Sequence, residues 1–235
     1  MTPQIAVVDY GMGNRRSVEK ALERVGARAH ISRDHSELRA ADGLLLPGVG
    51  AFPAAMATIR KLGLDELLRE RAAADVPLFG SCMGMQLLFE RSEEHGGAEG
   101  LGLLRGEVRR LPVDAQPSGS PAGTPASAPL KLPHIGWNEV RWQRRTSLNE
   151  GLPDSAYLYH VHSFVVYPAD PEVVLGTAEY GEVFPAVVES KNVFGAQSHP
   201  EKSSTHGLRL LGNFVGICAA AASARWPISG RSLAS

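Results

Sequence analysis

The run PLFGSCMGMQLLF, Pro77 to Phe89, sets Cys82 between glycines two residues before and two after it, with apolar stretches on both flanks. Gly-x-nucleophile-x-Gly is the spacing of a strand-to-helix elbow, a turn too crowded for side chains on either side of the nucleophile. Such a turn presents the sulfur at a helix N-terminus, where free N–H groups favour a thiolate. The N–H of Met83 would then face an oxyanion forming on an attacked carbonyl. Taken alone, the same residues describe a buried cysteine between packing glycines equally well. A thiol that transfers acyl groups needs a base and an acceptor that orients the base. Among eight histidines, His199 in QSHPEKS stands two residues from Glu201. In extended backbone the two project to one side, and Pro200 restricts the chain between them. The carboxylate could hold one ring nitrogen while the other faces the thiol; the alternative is a polar surface turn.

Other candidate chemistries are weaker. His160 and His162 in YHVHSF share a strand face, but without a third acidic or thiol ligand at suitable spacing they make a poor metal site, so structural or substrate-lining roles are preferred and no metal is expected. In DYGMGNRRS, Gly11 and Gly13 invite a dinucleotide reading. The third glycine position holds Arg16, and Asp9 precedes the glycines instead of following at the ribose distance. No Walker-type run is present, and no nucleotide or other cofactor is expected.

The elements that must position these residues change character along the chain. The first third alternates IAVVDY, RRSVEKALERVG, ARAHIS and GLLLPGVG, which reads as β-α-β with parallel strands. Val18, Leu22 and Val25 share one face of the first helix, Glu19, Lys20 and Glu23 fall away from it, and Gly26 marks its end. Further helices are expected in FPAAMATIRKL and LDELLRERAAA, then a buried strand in VPLF and a helix in MGMQLLFERS. After Gly106 the runs EVRRL, EVRWQ, AYLYHVHSFVVY, VLGTAEY, PAVVES and VFGAQSH are strand-like and joined by turns. HGLRLLGNFVGICAAA closes the pattern with a helical stripe of Leu208, Leu211 and Val215, which Cys218 continues as an inert core thiol.

At 235 residues the chain suits one domain, expected over 1–221, with a tail over 222–235 that is poorly ordered. Residues 113–129, rich in Pro, Ser, Gly and Ala, cannot offset their own ordering entropy and read as a mobile insertion in a surface loop. Acidic and basic residues nearly cancel at 25 against 24, so neither nucleic acid nor an anionic membrane is expected as partner. Two cysteines exclude a disulfide framework, no apolar run is expected to reach membrane-spanning length, and a cytoplasmic location is expected.

Together, GSCMGMQLLF and QSHPEKS, in that order, resemble the class I (triad) glutamine amidotransferases. With DYGMGN, LPGVGAF, PHIGWN and VHSF, the resemblance is most specific for the glutaminase subunits of imidazole glycerol phosphate synthases, from Val7 to about Phe214. It implies a flavodoxin-like α/β fold, with a doubly wound, mostly parallel central sheet and an added, largely antiparallel β portion. It further implies Cys82 as nucleophile on the amide of L-glutamine and His199, held by Glu201, as proton shuttle. Gln86, one turn beyond Cys82, matches a glutamine-binding position. Val49 and Gly50 match the oxyanion strand, with Met83 N–H as the other donor, and Ser163 matches a position near the substrate's α-amino and carboxylate groups. Trp137, Asn138, Tyr159 and Lys202 match positions facing a partner, a cyclase subunit with a (β/α)8 barrel that forms the other half of a heterodimer. Ammonia free in neutral water is mostly protonated, so a glutaminase whose product is used must hand it on under cover.

The chain departs from the family pattern at Arg15 and Ser81, where aliphatic residues are usual, and at Ser198, where an aromatic is usual. Ser81 and Ser198 alternate away from Cys82 and His199, which puts packing at risk before chemistry. Three rival readings remain. The chain could serve anthranilate, guanylate or pyridoxal phosphate synthesis, act as a stand-alone cysteine hydrolase, or be a non-catalytic module, against which the intact Cys82, His199 and Glu201 argue.

Overall fold

The computed structural model describes residues 2–112 and 130–225, so the expected insertion at 113–129 and the tail beyond Arg225 lie outside the described residues. The alternating first third folds as read. Strands β1 (Gln4–Val8), β2 (Arg28–Ser32), β3 (Gly43–Leu46) and β4 (Leu78–Ser81) are joined by α1 (Arg15–Arg24), α2 (His35–Ala40), α3 (Phe52–Lys61) and α4 (Leu64–Ala73). Helix α2 was not anticipated; Asp34 starts it by accepting the N–H groups of Ser36 and Glu37 at 2.8 and 3.1 Å. Glu19, expected to point away, is buried on α1 with its charge met by Arg16 at 2.5 Å.

The elbow helix is shorter than expected. α5 (Met83–Leu87) ends after five residues, and Phe89–Ser92 is a strand, β5. The reason lies in the following segment: the N–H groups of Leu101, Leu103 and Leu104 take the carbonyls of Leu87 and Leu88, which a continuing helix would have needed for itself. β6 (Ala98–Glu99) and β7 (Leu104–Arg110) follow, then β8 (His134–Trp142) and β9 (Ser155–His162). After them come β10 (Phe164–Pro168), β11 (Val174–Tyr180), β12 (Glu182–Ser190), β13 (Val193–Ala196) and α6 (Ser204–Arg225). AYLYHVHSFVVY, read as one strand-like run, breaks at Ser163, and its halves β9 and β10 belong to different sheets.

The larger sheet has nine strands in the order β2-β1-β3-β4-β13-β12-β11-β8-β9. The pairings from β2 to β13 are parallel and those from β13 to β9 antiparallel, so the antiparallel portion extends the parallel sheet edge to edge. β13, the last strand in sequence, is the middle strand of the nine. A second sheet runs β10-β7-β5-β6. Alternation along the parallel strands divides the core. Ile5, Val7, Leu45 and Phe79 pack with α1 and α6. Ala6, Val8, Leu44, Leu46 and Leu78 pack with α2, α3, α4 and α5. This two-sided cover is the doubly wound arrangement, and it brings the carboxyl ends of β1, β3, β4 and β13 to one edge.

Helix α6 has 22 residues and is apolar and long enough to cross a membrane by length and composition, contrary to the expectation that no run reaches that length. Its buried stripe is Gly207, Leu210, Leu211, Phe214, Val215 and Cys218, deeper than the stripe read through Leu208, and it packs on the sheet. The helix continues past the expected boundary at 221 because an alanine run favours it, and Arg225 donates to the carbonyls of Asp75 and Asp42 at 3.2 and 3.0 Å.

Candidate active site

Cys82 follows β4 directly and starts α5 with φ +54° and ψ −115°, a conformation that costs a non-glycine residue of order 1–3 kcal/mol. The flanking glycines are required by contact. A Cβ on Gly80 would meet Gly84 O at 2.5 Å, and one on Gly84 would run into Leu46 O. The turn thus presses α5 onto the end of β3, and the following Met83 N–H occupies a first-turn position that needs no intrahelical acceptor. Because α5 is so short, its contribution is these local amides and not the dipole of a long helix.

β13 lies beside β4, and the chain leaving it delivers Gln197, Ser198 and His199 to the same edge. His199 Nδ1 and Glu201 Oε1 are 3.0 Å apart, with both side chains buried. The contact forms through a single 3-10 turn over Pro200–Lys202 and not through the extended backbone expected. Ser203 Oγ donates to His199 O at 2.7 Å and accepts Tyr159 N–H at 2.9 Å, which fixes that turn against β9. Burial alone would lower the His199 pKa. Interaction with Cys82 and with Glu201 outweighs it and raises the ring to about 10. The sulfur lies 3.7 Å from Val161 O and 3.9 Å from Gln197 Nε2.

A cavity of about 290 Å³ opens over the sulfur. That is about the lower limit for small-molecule pockets, roughly 300–1,000 Å³, and suits an amino-acid-sized ligand. Val49, Gly50, Met83, Gln86, Ser163 and Lys202 all line it together with Cys82 and His199. Val49 and Gly50 follow β3, and Tyr10, at the end of β1, donates its hydroxyl to Pro47 O at 2.6 Å to hold that loop. Ser163 enters the wall because the chain changes sheets there. Gln86 Nε2 donates to Phe164 O at 3.0 Å and to Gln197 Oε1 at 3.1 Å, leaving Gln86 Oε1 as an acceptor for a ligand.

Of the residues expected at a partner surface, Trp137 is exposed, stands 6.0 Å from the Tyr159 ring, and shares its strand face with exposed Ile135. Lys202 is exposed at the cavity mouth. Asn138 alternates to the other strand face from Trp137, where its Nδ2 donates to Glu179 O at 2.8 Å and lies 3.4 Å from His134 Nε2. Gln197, Ser203 and His134, which hold residues of the cavity through hydrogen bonds, were not singled out from the sequence, although the first two lie inside QSHPEKS and the third is the second residue of PHIGWN. His160 and His162 do share a face with each other and with His134, but His134 Nδ1 bonds His162 Nε2 at 3.0 Å, so these nitrogens bond each other and do not converge on an ion. Among the described residues no group of three His, Cys, Asp or Glu is placed to hold a metal.

Arg15 ion-pairs with Asp9, which Arg33 also contacts at 2.6 Å, so the departure at Arg15 is held against its own chain. Ser81 is buried in β4, and Ser198 is buried with its hydroxyl unpartnered among the described residues.

Residues 6–217, most of the chain, match the family model described as glutamine amidotransferase class-I. The chain belongs to that family. It is 48% identical to the imidazole glycerol phosphate synthase subunit HisH of Moorella thermoacetica over 210 residues, 89% of this chain and 93% of its relative. It is 46% identical to the protein of the same name from Bacillus cereus strain G9842 over 224 residues, 95% of this chain and all of its relative. Among solved structures, a putative GMP synthase protein from Thermoplasma acidophilum superposes with a TM-score of 0.68 at 20% identity, covering 96% of this chain and 98% of that one. PurLQS from Thermotoga maritima gives 0.66 at 20% identity, covering 92% and 99%. At that identity the structural likeness speaks for the fold of this glutamine amidotransferase and not for its substrate.

Proposed function

We propose that this class I amidotransferase is the glutaminase subunit of an imidazole glycerol phosphate synthase and serves histidine biosynthesis. The observation that carries the chemistry is the meeting of the strained Cys82 and the Glu201-bound His199 at the carboxyl ends of adjacent strands β4 and β13. The destination of the nitrogen rests on relatives of that name at 46–48% identity over nearly their whole length. The anthranilate, guanylate and pyridoxal phosphate readings have no support of that kind, since the GMP synthase likeness is one of fold alone.

Glutamine enters with its side-chain amide over Cys82. The thiolate attacks the amide carbon, and Met83 N–H and the Val49–Gly50 segment stabilise the oxyanion. Protonated His199 gives its proton to the leaving nitrogen, the C–N bond breaks, and a thioester with ammonia results. His199, now neutral, takes a proton from water, whose oxygen attacks the thioester and releases glutamate and the thiol. Gln86 and Ser163 hold the substrate's main-chain groups. Ammonia then passes to a (β/α)8 cyclase partner docked on the face carrying Trp137, Tyr159 and Lys202, while Asn138 supports that strand from behind.

The test is glutamine hydrolysis by the chain alone, with the cyclase partner, and with the cyclase partner plus its nucleotide-like ligand. Turnover should rise at each step, and Cys82→Ala should abolish glutamine-dependent synthesis while ammonia-dependent synthesis by the partner persists. Full activity in the chain alone would instead favour a stand-alone cysteine hydrolase.

A further inference from the structure

Behind the substrate wall, three buried histidines stack on the inner face of β8 and β9. His134 and His160 face each other with ring centroids 5.4 Å apart, and Tyr180 lies 4.0 Å from His134. Hydrogen-bond chemistry fixes the direction of the chain running through two of them. Phe164 O can only accept, so His162 Nδ1, 3.1 Å away, must donate. A neutral ring that donates at Nδ1 accepts at Nε2, and His134 Nδ1, 3.0 Å away, must therefore donate to it. His134 Nε2 is left as acceptor for Asn138 Nδ2 at 3.4 Å. The Asn138 amide is itself oriented by donating to Glu179 O. Burial lowers the pKa of His134 to about 4 and of His160 to about 3, and His162 also lies well below the ordinary value, so the rings stay neutral and keep these tautomers.

The chain ends on the substrate pocket. Phe164 O receives His162 on one lone pair and Gln86 Nε2 on the other. With its second amide hydrogen on Gln197, Gln86 has one orientation, and its Oε1 is the atom offered to a ligand. His162 also lines the cavity directly. A change of tautomer at His162 would set a lone pair against Phe164 O and loosen the carbonyl that aims Gln86.

We infer that His134 and His162 are positioning residues of the glutaminase: through the one-directional chain Asn138, His134, His162, Phe164 O they hold Gln86 in its glutamine-binding orientation. The inference rests on the proposed role of Gln86. His160 supplies an internal control, because it shares the stack but donates only within its own strand, to Leu158 O at 3.0 Å, and its Nε2 has no partner among the described residues.

Two measurements test the chain. Long-range 15N–1H correlation spectra of the wild-type protein should show His134 and His162 as Nδ1–H tautomers from pH 6 to 8, the minor form for free imidazole. An Nε2–H tautomer at either ring overturns the inference without touching the assignment of Cys82. In the reconstituted complex, His134→Phe should raise the KM for glutamine about tenfold while kcat changes less than threefold, and His134→Asn, which keeps a donor at the Nδ1 position, should recover most of the loss. His160→Phe should leave KM unchanged. An unaltered KM in folded His134→Phe, or an equal rise in His160→Phe, refutes the positioning role. If His134→Phe does not fold, the tautomers and the His134→Asn KM decide. Glutamine turnover persisting in Cys82→Ala would sink the functional reading instead, leaving the tautomer result standing.

Discussion

Cys82 and Glu201 together determine how His199 behaves with pH. The imidazole is buried, which by itself favours the neutral form, yet its pKa rises to about 10 because Cys82 and Glu201 hold the charged ring. A raised histidine adds stability that is complete below its unfolded value near 6.5 and is lost as pH climbs through about 10. Glu201→Gln should therefore cost about 1.5–3 kcal/mol in urea unfolding at pH 7, and the gap to wild type should close as pH passes 10. A gap that stays constant from pH 6 to 10 would contradict the ion pair. Ser198 departs from the family pattern next to His199 in the chain, and its buried hydroxyl is unpartnered among the described residues. At this scale the triad was legible in the sequence, because glycine spacing and a nearby carboxylate are local signals. That Asn138 and Trp137 take opposite strand faces was not legible, because motif membership says nothing about which side of a strand a residue takes.

At the scale of elements, β8 and β9 carry a histidine-rich inner face that must remain uncharged. A histidine whose folded pKa is depressed leaves stability intact above about 6.5 and removes it as pH falls, up to about 1.4 kcal/mol per pH unit for each ring. The loss continues until the folded values, about 4 for His134 and about 3 for His160, are reached. Acid unfolding should accordingly begin below pH 6.5, and His160→Phe should shift its midpoint to lower pH; an unchanged midpoint would mean that the stack does not govern acid stability. Strands were readable from alternation, but not the sheet each would join. AYLYHVHSFVVY looks continuous, and only tertiary pairing breaks it at Ser163. Likewise MGMQLLFERS kept a helical pattern until competing N–H groups from Leu101, Leu103 and Leu104 ended it.

Taken as one molecule, the site draws on segments far apart in the chain, from Val49 to Lys202, and all of them meet at one edge of the nine-stranded sheet. A chain truncated after Ser190 should therefore lack glutamine turnover and also aggregate, since β4 and β12 would each present an unpaired hydrogen-bonding edge. Light scattering of that truncation against the full chain checks this, and a monodisperse fragment would contradict it. The position of β13 has a further consequence for synthesis in the cell. A nascent chain has made eight of the nine strands before the one that joins them leaves the ribosome. Until Val193–Ala196 emerges, no strand joins the parallel and antiparallel portions of the large sheet, and His199 and Glu201, which follow β13 in the chain, are not yet available beside Cys82.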